Sequence, residues 1–480
     1  KGDTETKAGV SARWGVTTDL SLNAALNPDF SQIEADAAQL QVNERFALFY
    51  AEKRPFFLEG TDLFTTPLQA VYTRAVADPD WGVKLTGKVG ANAVGVFLDQ
   101  DNVTNLLFPS NQGTDDASLG QSHRGGVVRY RRDIGRGSSV GVLYTGREGD
   151  GYHNRVWGGD GFIRLGDTDT IAFQLVHSDS AYPREVAAQH GQSLEPFGGT
   201  AWKTSYQHLS REWFWELDYS DLSRGFRADS GFIPRVDTRD AFGLLQRTFW
   251  TRPGSPWNRI DLGMHYERVE DHSNRLTDDG YELSVTLAGP LQSQIQVSLG
   301  QSSERVGETL FSGLDRLELY AETQPSGWIK ASLAAEGGDS VFVAGAQKAR
   351  ALELMPALEL KLGRHVNAKL DHAWQRYTRG DTKLSDAHLT QLRLVYSFST
   401  RSFVRAIVQY LDLSQDPTAV PQPVDRTTQT LFTQLLYSYK LNPQTVLFLG
   451  YSDNHLGVED ISLTRTDRTF FVKLGYALLL

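Results

Sequence analysis

The chain has 480 residues, with no cysteine and only 2 methionines. Without thiols there are no disulfides, no thiolate metal ligands and no cysteine nucleophile, which suits an envelope protein held unfolded until assembly. No window approaches the run of about 20 apolar residues that a membrane helix needs. Leu- and Ala-rich runs typical of helical proteins are scarce. The net charge of −10 argues against general nucleic-acid binding, which needs a basic face. The start at Lys1 lacks a basic-then-apolar leader, so a signal peptide is expected to have been removed or to lie upstream.

The sequence is instead rich in strand formers and turn residues, with 44 glycines and 11% aromatics. That leaves two architectures, a soluble all-β protein or a membrane β-barrel, whose signal per strand is weak. From about residue 81 alternating segments recur in pairs. Short turns such as "KVGANA", "DIGRGS", "LGDTDT" and "KLGRHV" join them on one side. Longer links join them on the other, at 101–122, 182–199, 223–235, 414–426 and 455–467. Outer-membrane barrels have this asymmetry.

Facing decides between the two. In "NRIDLGMHYE", Ile260, Leu262, Met264 and Tyr266 oppose Arg259, Asp261 and His265; in "HVNAKLDHAW", Val366, Ala368, Leu370 and Trp374 oppose Lys369 and Asp371. A sandwich would alternate too. Here, however, the apolar faces end in Trp or Tyr, as at Trp257, Trp328, Trp374, Tyr410 and Tyr451, like interfacial girdles. The opposite faces carry mid-strand charge that fits a wet lumen, so Arg259, Asp261, His265, Lys369, Asp371 and Arg405 are expected to face it.

The C-terminal "TDRTFFVKLGYALLL" resembles the β-signal presented to the barrel-insertion machinery, through Lys473, Gly475, Leu478 and Leu480. Leu480 stands where a terminal aromatic is commoner. The expected fold is a large antiparallel transmembrane β-barrel of about 24 strands, range about 22 to 26. About 23 strands are countable, and the even-number rule places one more before Lys1. The alternative is that "LQAVYTRAV" at 68–76 forms a strand of its own.

One segment breaks the pattern. The chain divides into first strands at 1–26, an inward-folded, partly helical plug loop at 27–66, and remaining strands at 67–480. Ser31 and Glu34 read as a capping box before a helix running to about Phe49. Pro55 then breaks the chain ahead of the cluster Phe56, Phe57, Leu58, Leu63 and Phe64, which would be a liability if exposed. Contacts with the wall are expected from Asp29, Phe30, Glu34, Asp36, Arg45, Glu52, Lys53, Arg54, Phe56, Phe57 and Glu59. Glu52, Lys53 and Arg54 are expected to pair with charges of the lumen wall.

The stretches "NPDFSQIEAD", "NERFALFYAEKRPFFLEG" and "DWGVKLTGKVG" closely resemble the signature of the DUF5916 family, over about residues 19–98. The chain departs from it at Tyr50-Ala51, where Phe-Pro is more usual. The resemblance implies a bacterial envelope protein whose usual form carries a carbohydrate-binding family 9-like domain ahead of a large outer-membrane barrel. That domain is absent from this sequence and is expected upstream.

Chemistry is sparse. His208, His265 and His372 stand alone on strands, and lone histidines are more often polar wall groups than catalysts, so no enzyme activity is expected. The carboxylates around 29–62 lack the one-three-five spacing of a calcium loop. The acidic loops "DQDN" at 99–102 and "GTDDAS" at 113–118 could take Ca²⁺ or bridge lipopolysaccharide, but solvated loops are the favoured reading, and no cofactor is expected. The functional expectation is a plugged outer-membrane channel or transport component for a glycan-like or other small solute. The alternatives are a structural or partner-docking barrel of an envelope complex and, more weakly, a glycan-acting hydrolase. Expected partners are outer-membrane lipid and lipopolysaccharide, the insertion machinery, an envelope protein and the upstream carbohydrate-binding-like domain.

Overall fold

Short turns set the rhythm of the fold. Between the strands Pro79–Val89 and Asn92–Asp101 only Gly90 and Ala91 intervene, since Val89 pairs with Asn92. Gly90 takes φ 59, a conformation that a Cβ would penalise and that matches the twist of a tight hairpin.

A computed structural model describes residues 9–28, 36, 39–40, 42–421, 423–442, 445–459 and 461–475. Among these, 23 strands form one antiparallel sheet and two more form a separate hairpin. The described residues divide into two compact units. The first takes in 1–30, 45–245 and 266–279, and the second 31–44, 246–265 and 280–480.

In the first unit the strands are β1 (Val10–Gly15), β2 (Leu20–Leu26), β3 (Pro79–Val89), β4 (Asn92–Asp101), β5 (Thr104–Pro109), β6 (Thr114–Leu119), β7 (His123–Ile134), β8 (Ser138–Gly149), β9 (Tyr152–Leu165), β10 (Asp169–Ala181), β11 (Phe197–Leu209) and β12 (Trp213–Leu222). Each pairs antiparallel with the next, except that β5 and β6 pair only with each other, leaving β4 beside β7. Three strands, β13 (Thr238–Trp250), β14 (Arg259–Glu270) and β15 (Leu276–Gly289), contribute residues to both units. In the second unit, ten strands from β16 (Ser293–Val306) to β25 (Ile461–Gly475) pair antiparallel in chain order.

The faces are inverted relative to a soluble sheet. On β8, Val142 is 57% exposed while Arg147 on the opposite face is 2% exposed. On β16, Leu299 is 61% exposed and Ser298 2%. The same holds where Leu175 opposes Gln174, Leu98 opposes Asp99, and Leu262 and Met264 oppose Asp261. On these strands apolar side chains line the open face, while the covered face carries the polar ones together with some apolar side chains such as Phe97, Val127 and Leu143.

The strand-free segment after β2 is longer than expected. Strands resume only at Pro79, and 68–76 is no strand: it holds a 3-10 turn at Thr73–Ala75. The helix expected to reach Phe49 does not form among the described residues of 36–49; residues 31–35 lie outside the description. Asn43 sits at φ 64, and further on the backbone of Arg45 and Ala47 bonds to Thr114, which takes up the groups a helix would use. The helix that does form in this segment, α1 (Pro55–Leu58), begins at the proline expected to break the chain. Proline is well suited to a first turn, where its missing N–H costs nothing.

Candidate functional site

In the first unit, three segments cover the polar face of the sheet: a strap at 45–78, the β5–β6 hairpin, and the loop 223–237. The strap is seated by aromatic burial. Phe57, Phe64, Ala70 and Val76 pack with Phe97, Val127 and Leu143 of β4, β7 and β8, and Phe57 meets Phe97 edge-on at 5.5 Å. Each such buried side chain contributes about 1.5–3 kcal/mol. Polar anchors fix its ends. Lys84 of β3 is buried, and its Nζ donates to the carbonyls of Phe56 and Glu59 around α1. The Asp101 carboxylate of β4 accepts the N–H groups of Ala77 at 2.5 Å, Asp78 at 2.8 Å and Val103 at 3.2 Å.

Within the strap, Arg54 Nε and Nη2 donate to Glu52 at 2.9 and 2.8 Å, and its remaining donors reach the carbonyls of Val76 and Thr73 at 2.6 Å. Thr73 Oγ1 also donates to Glu52, at 2.7 Å. Burial alone would raise the Glu52 carboxyl; the hydrogen bonds and charge of Arg54 outweigh it and hold the group below the usual carboxylate range. Its folded value therefore lies under the unfolded value of about 4.3. The clip contributes fully above that pH and is lost as pH falls through the folded value. Protease nicking of 45–78 is accordingly expected to rise only in acid, and Glu52→Gln to be nicked at neutral pH as well. Equal nicking of the parent protein at pH 7 and pH 3 would refute this.

The loop 223–237 is held by a buried polar network. Arg147 of β8 donates through Nε to His123 Nε2 and through Nη1 to the carbonyls of Asn105 and Asp229, all at 2.9 Å. Because His123 Nε2 accepts, its Nδ1 carries the proton and donates to Thr104 Oγ1 at 3.0 Å, whose own hydroxyl donates to the Gln121 carbonyl. The Asp229 carboxylate accepts Tyr152 OH at 2.8 Å and Tyr182 OH at 3.1 Å. Burial pushes that carboxyl up against the opposing charge of Arg147. Asn154 accepts the Asp229 N–H and donates to the Arg227 carbonyl. A buried network satisfied to this degree rigidifies what it joins.

Strap and loop also bond to each other. Tyr72 N–H donates to the Ser230 carbonyl at 2.7 Å and Phe232 N–H to the Gln69 carbonyl at 2.8 Å. Gly231 is required at this crossing, because a Cβ there would lie 2.3 Å from the Gln69 carbonyl oxygen. Phe49, Tyr72 and Phe232 form a triad with ring centroids 5.3 to 5.5 Å apart. Where strap, hairpin and loop meet there is a cavity of about 270 Å³, lined among others by Tyr72, Arg74, Asp116, Arg227 and Phe232.

The residues expected to contact the wall behave differently from one another. Phe57 is buried and Phe56 packs against the same cluster. Arg45 reaches Asp278 at 3.3 Å, and Arg235 shares that carboxylate. Glu59 pairs with Arg13 at 2.6 Å, and Lys53 N–H donates to Glu52. Glu52 and Arg54, expected to pair with wall charges, instead pair with each other, because their two-residue spacing in an extended chain brings carboxylate and guanidinium together. Asp36 presents its carbonyl, not its carboxylate, to Gln409 at 2.9 Å in the second unit. Asp29, Phe30 and Glu34 lie outside the described residues.

Of the residues expected to line a lumen, Arg259 pairs with Asp261 at 2.8 Å and Lys369 with Asp371 at 2.9 Å, each along its own strand. Arg405 donates to Gln434 at 3.5 Å, and His265 is half-buried on β14. Lys473 and Gly475 belong to β25, opposite Phe448 and Val446; Leu478 and Leu480 lie outside the described residues. In the acidic stretches, Asp101 is engaged by backbone N–H groups and Asp115 pairs with His190 at 2.5 Å. No cluster of three metal-ligating side chains occurs among the described residues. His208 stacks on Trp215 and pairs with Asp169, and His372 bonds Thr390. Sequence reasoning missed Lys84, His123, Arg147, Asn154, Arg227 and Asp229. The available signal was charge and amide placed mid-strand, together with a link at 223–235 unusually rich in Gly, Phe and Arg.

Residues 1–87 match the family described as Domain of unknown function (DUF5916). No curated protein matches the sequence. Among solved structures, similar ones include the ferric preacinetobactin receptor BauA of Acinetobacter baumannii, at 10% identity and TM-score 0.44, covering 97% of this chain and 76% of that one. A mutant of the ferric enterobactin receptor PfeA of Pseudomonas aeruginosa is similar at 10% identity and TM-score 0.42, with 78% and 79% covered. An anion-selective porin of Comamonas acidovorans follows at 14% identity and TM-score 0.28, with 68% and 90% covered. At these identities and scores none of them bears on what this chain binds.

Proposed function

We propose that this chain, whose residues 1–87 carry the DUF5916 domain, is a bacterial outer-membrane β-barrel with a covering layer inside it that acts as a plug. Its work is the passage or reception of a small solute, glycan-like or otherwise. The observation that carries this is the inversion of the sheet faces: apolar side chains such as Val142, Leu175 and Leu299 are exposed on strands whose polar residues are covered. A soluble protein would leave that apolar surface in water, whereas a bilayer solvates it. Exposed Trp157, Trp213, Trp250 and Trp328 fit the interfacial belts of such a barrel.

The test is conductance in planar bilayers. The intact protein is expected to be nearly silent, and replacement of 29–77 by a short flexible linker to open large, long-lived channels. A replacement variant that folds and stays silent refutes the plug. One observation favours a second reading, a sealed barrel that docks a partner: the strap is tied by buried charged groups, Lys84 and Asp101, which befits a fixed stopper. Under that reading the intact protein never conducts, with any solute or at any voltage.

A further inference from the structure

We infer that the exposed sheet face of the second unit carries, at one end of three adjacent strands, a docking site for a lipid whose headgroup bears phosphates and no cation, of the lipid A type. The inference rests on the membrane reading above and names the lipid that lies against this part of the sheet.

The strands are β19 (Gln347–Leu362), β20 (Val366–Arg379) and β21 (Thr382–Ser397), flanked by β18 (Ile329–Phe342) and β22 (Ser402–Gln415). Midway along them the exposed face is apolar, at Leu370, Leu392 and Leu394, while the other face is covered at Tyr377, Ser385 and Ala387. Toward the end joined by the link 416–426 the exposed face changes character. Trp374 lies opposite His388 in the register, and the two rings stack at 6.0 Å. A tryptophan at such a place suits the boundary between acyl chains and headgroups. Beyond it come cations: Arg376 two residues on, then Arg350 and Lys383, both opposite Thr378. At about 3.3 Å per residue they stand roughly 7–13 Å past the ring, where headgroup phosphates lie. The uneven lengths of the links place this end on the outer side.

Charge decides which headgroup fits. Lys348 pairs with Asp339 of β18 at 2.9 Å. Arg376 and Lys383 share the Asp386 carboxylate at 2.7 and 3.4 Å, and Trp374 Nε1 donates to it at 2.8 Å. Arg350 is exposed and has no ion pair among the described residues. Four cations therefore meet two carboxylates. The next carboxylate, Asp412 of β22, lies opposite His388, and Arg379 and Asp381 add one charge of each sign at the turn. The Arg376 guanidinium also sits over the Trp374 ring at 5.0 Å, which fixes its position while leaving 42% of the side chain open.

A guanidinium takes a phosphate through two parallel hydrogen bonds, and the unmatched charge on Arg350 is the place for one. A phospholipid that carries its own ammonium is disfavoured by the excess of cations. A free anion reaches the cations but leaves Leu370 and Leu392 bare. A diphosphorylated lipid satisfies both, with acyl chains over the leucines and phosphates at Arg350 and Lys383.

The test is native mass spectrometry of the full chain in detergent, titrated with lipid A, phosphatidylethanolamine or inorganic phosphate. Lipid A is expected to bind about tenfold more tightly than either other probe. Arg350→Gln is expected to weaken lipid A about fivefold and leave the melting temperature unchanged, because that side chain supports no other group. Lys383→Gln is expected to act in the same direction. Arg124→Gln, at an exposed arginine of β7 in the first unit, is expected to have no effect. Equal binding of lipid A and phosphatidylethanolamine, phosphate binding as strong as lipid A, or equal losses in the Arg350 and Arg124 variants overturns the proposal. These titrations need no bilayer and no conductance, so their failure leaves the barrel and plug readings intact. Lipid A bound by a protein that never enters bilayers would sink the membrane reading alone.

Discussion

Replacing Arg147 by Met is expected to destabilise the protein by about 3–5 kcal/mol, the range for removing one member of a buried charged network. The substitution keeps most of the volume but removes the donors to His123 Nε2 and to the carbonyls of Asn105 and Asp229. Those acceptors stay buried, and each unmatched one costs about 1–3 kcal/mol. The loss also reaches the carboxylate of Asp229, because the Arg147 charge opposes the burial that pushes that group up. Urea unfolding in detergent, followed by tryptophan fluorescence, measures the change, and proteolysis tells whether 223–237 is released first. A shift below about 1 kcal/mol would mean that the network is ornamental. Arg147→Lys is expected to recover only part of the loss, since one ammonium cannot span the positions a guanidinium reaches.

The second large effect is expected at Lys84. Lys84→Met removes a buried ammonium that ties the carbonyls of Phe56 and Glu59 to β3, at a cost of about 2–4 kcal/mol. Because both partners lie in the strap, the loss is expected to be local. Amide exchange across 45–78 is expected to accelerate while exchange in β7 to β10 stays slow, and, on the proposed plug reading, brief openings are expected in bilayers. If exchange accelerates uniformly, Lys84 holds the whole sheet and not the strap.

The sheet was legible because alternation survives in strands such as β14 and β16 and the tight turns announce themselves through glycine, as at Gly90. Which face was apolar could also be read, and the aromatic ends and mid-strand charges already pointed it outward; the burial of Asp261 and Ser298 beside exposed Leu262 and Leu299 agrees with that reading. The strap was legible as an interruption, and two residues of its aromatic cluster, Phe57 and Phe64, are buried against β4, β7 and β8. Its internal structure was not. A capping box is a local preference, and the competing demand of pairing Arg45 and Ala47 with Thr114, far along the chain, has no local trace. The same reason hid the network around Asp229. Its members come from β5, β7, β8, β9, Tyr182 just after β10 and the loop 223–237, and nothing in any one of these stretches reveals that the others meet it. The Glu52–Arg54 clip was a miss of a different kind, because a nearby partner was present and a distant one was preferred.

The crossing of strap and loop has a consequence for how the molecule is made. The strap leaves the ribosome well before the loop that bonds to it, and every strand from β3 to β12 lies between them in the chain. Tyr72 and Gln69 cannot find Ser230 and Phe232 until those hairpins have closed, so the strap's last hydrogen bonds come late and at high contact order. Until then its aromatic residues lie against an incomplete sheet and are an aggregation hazard during folding.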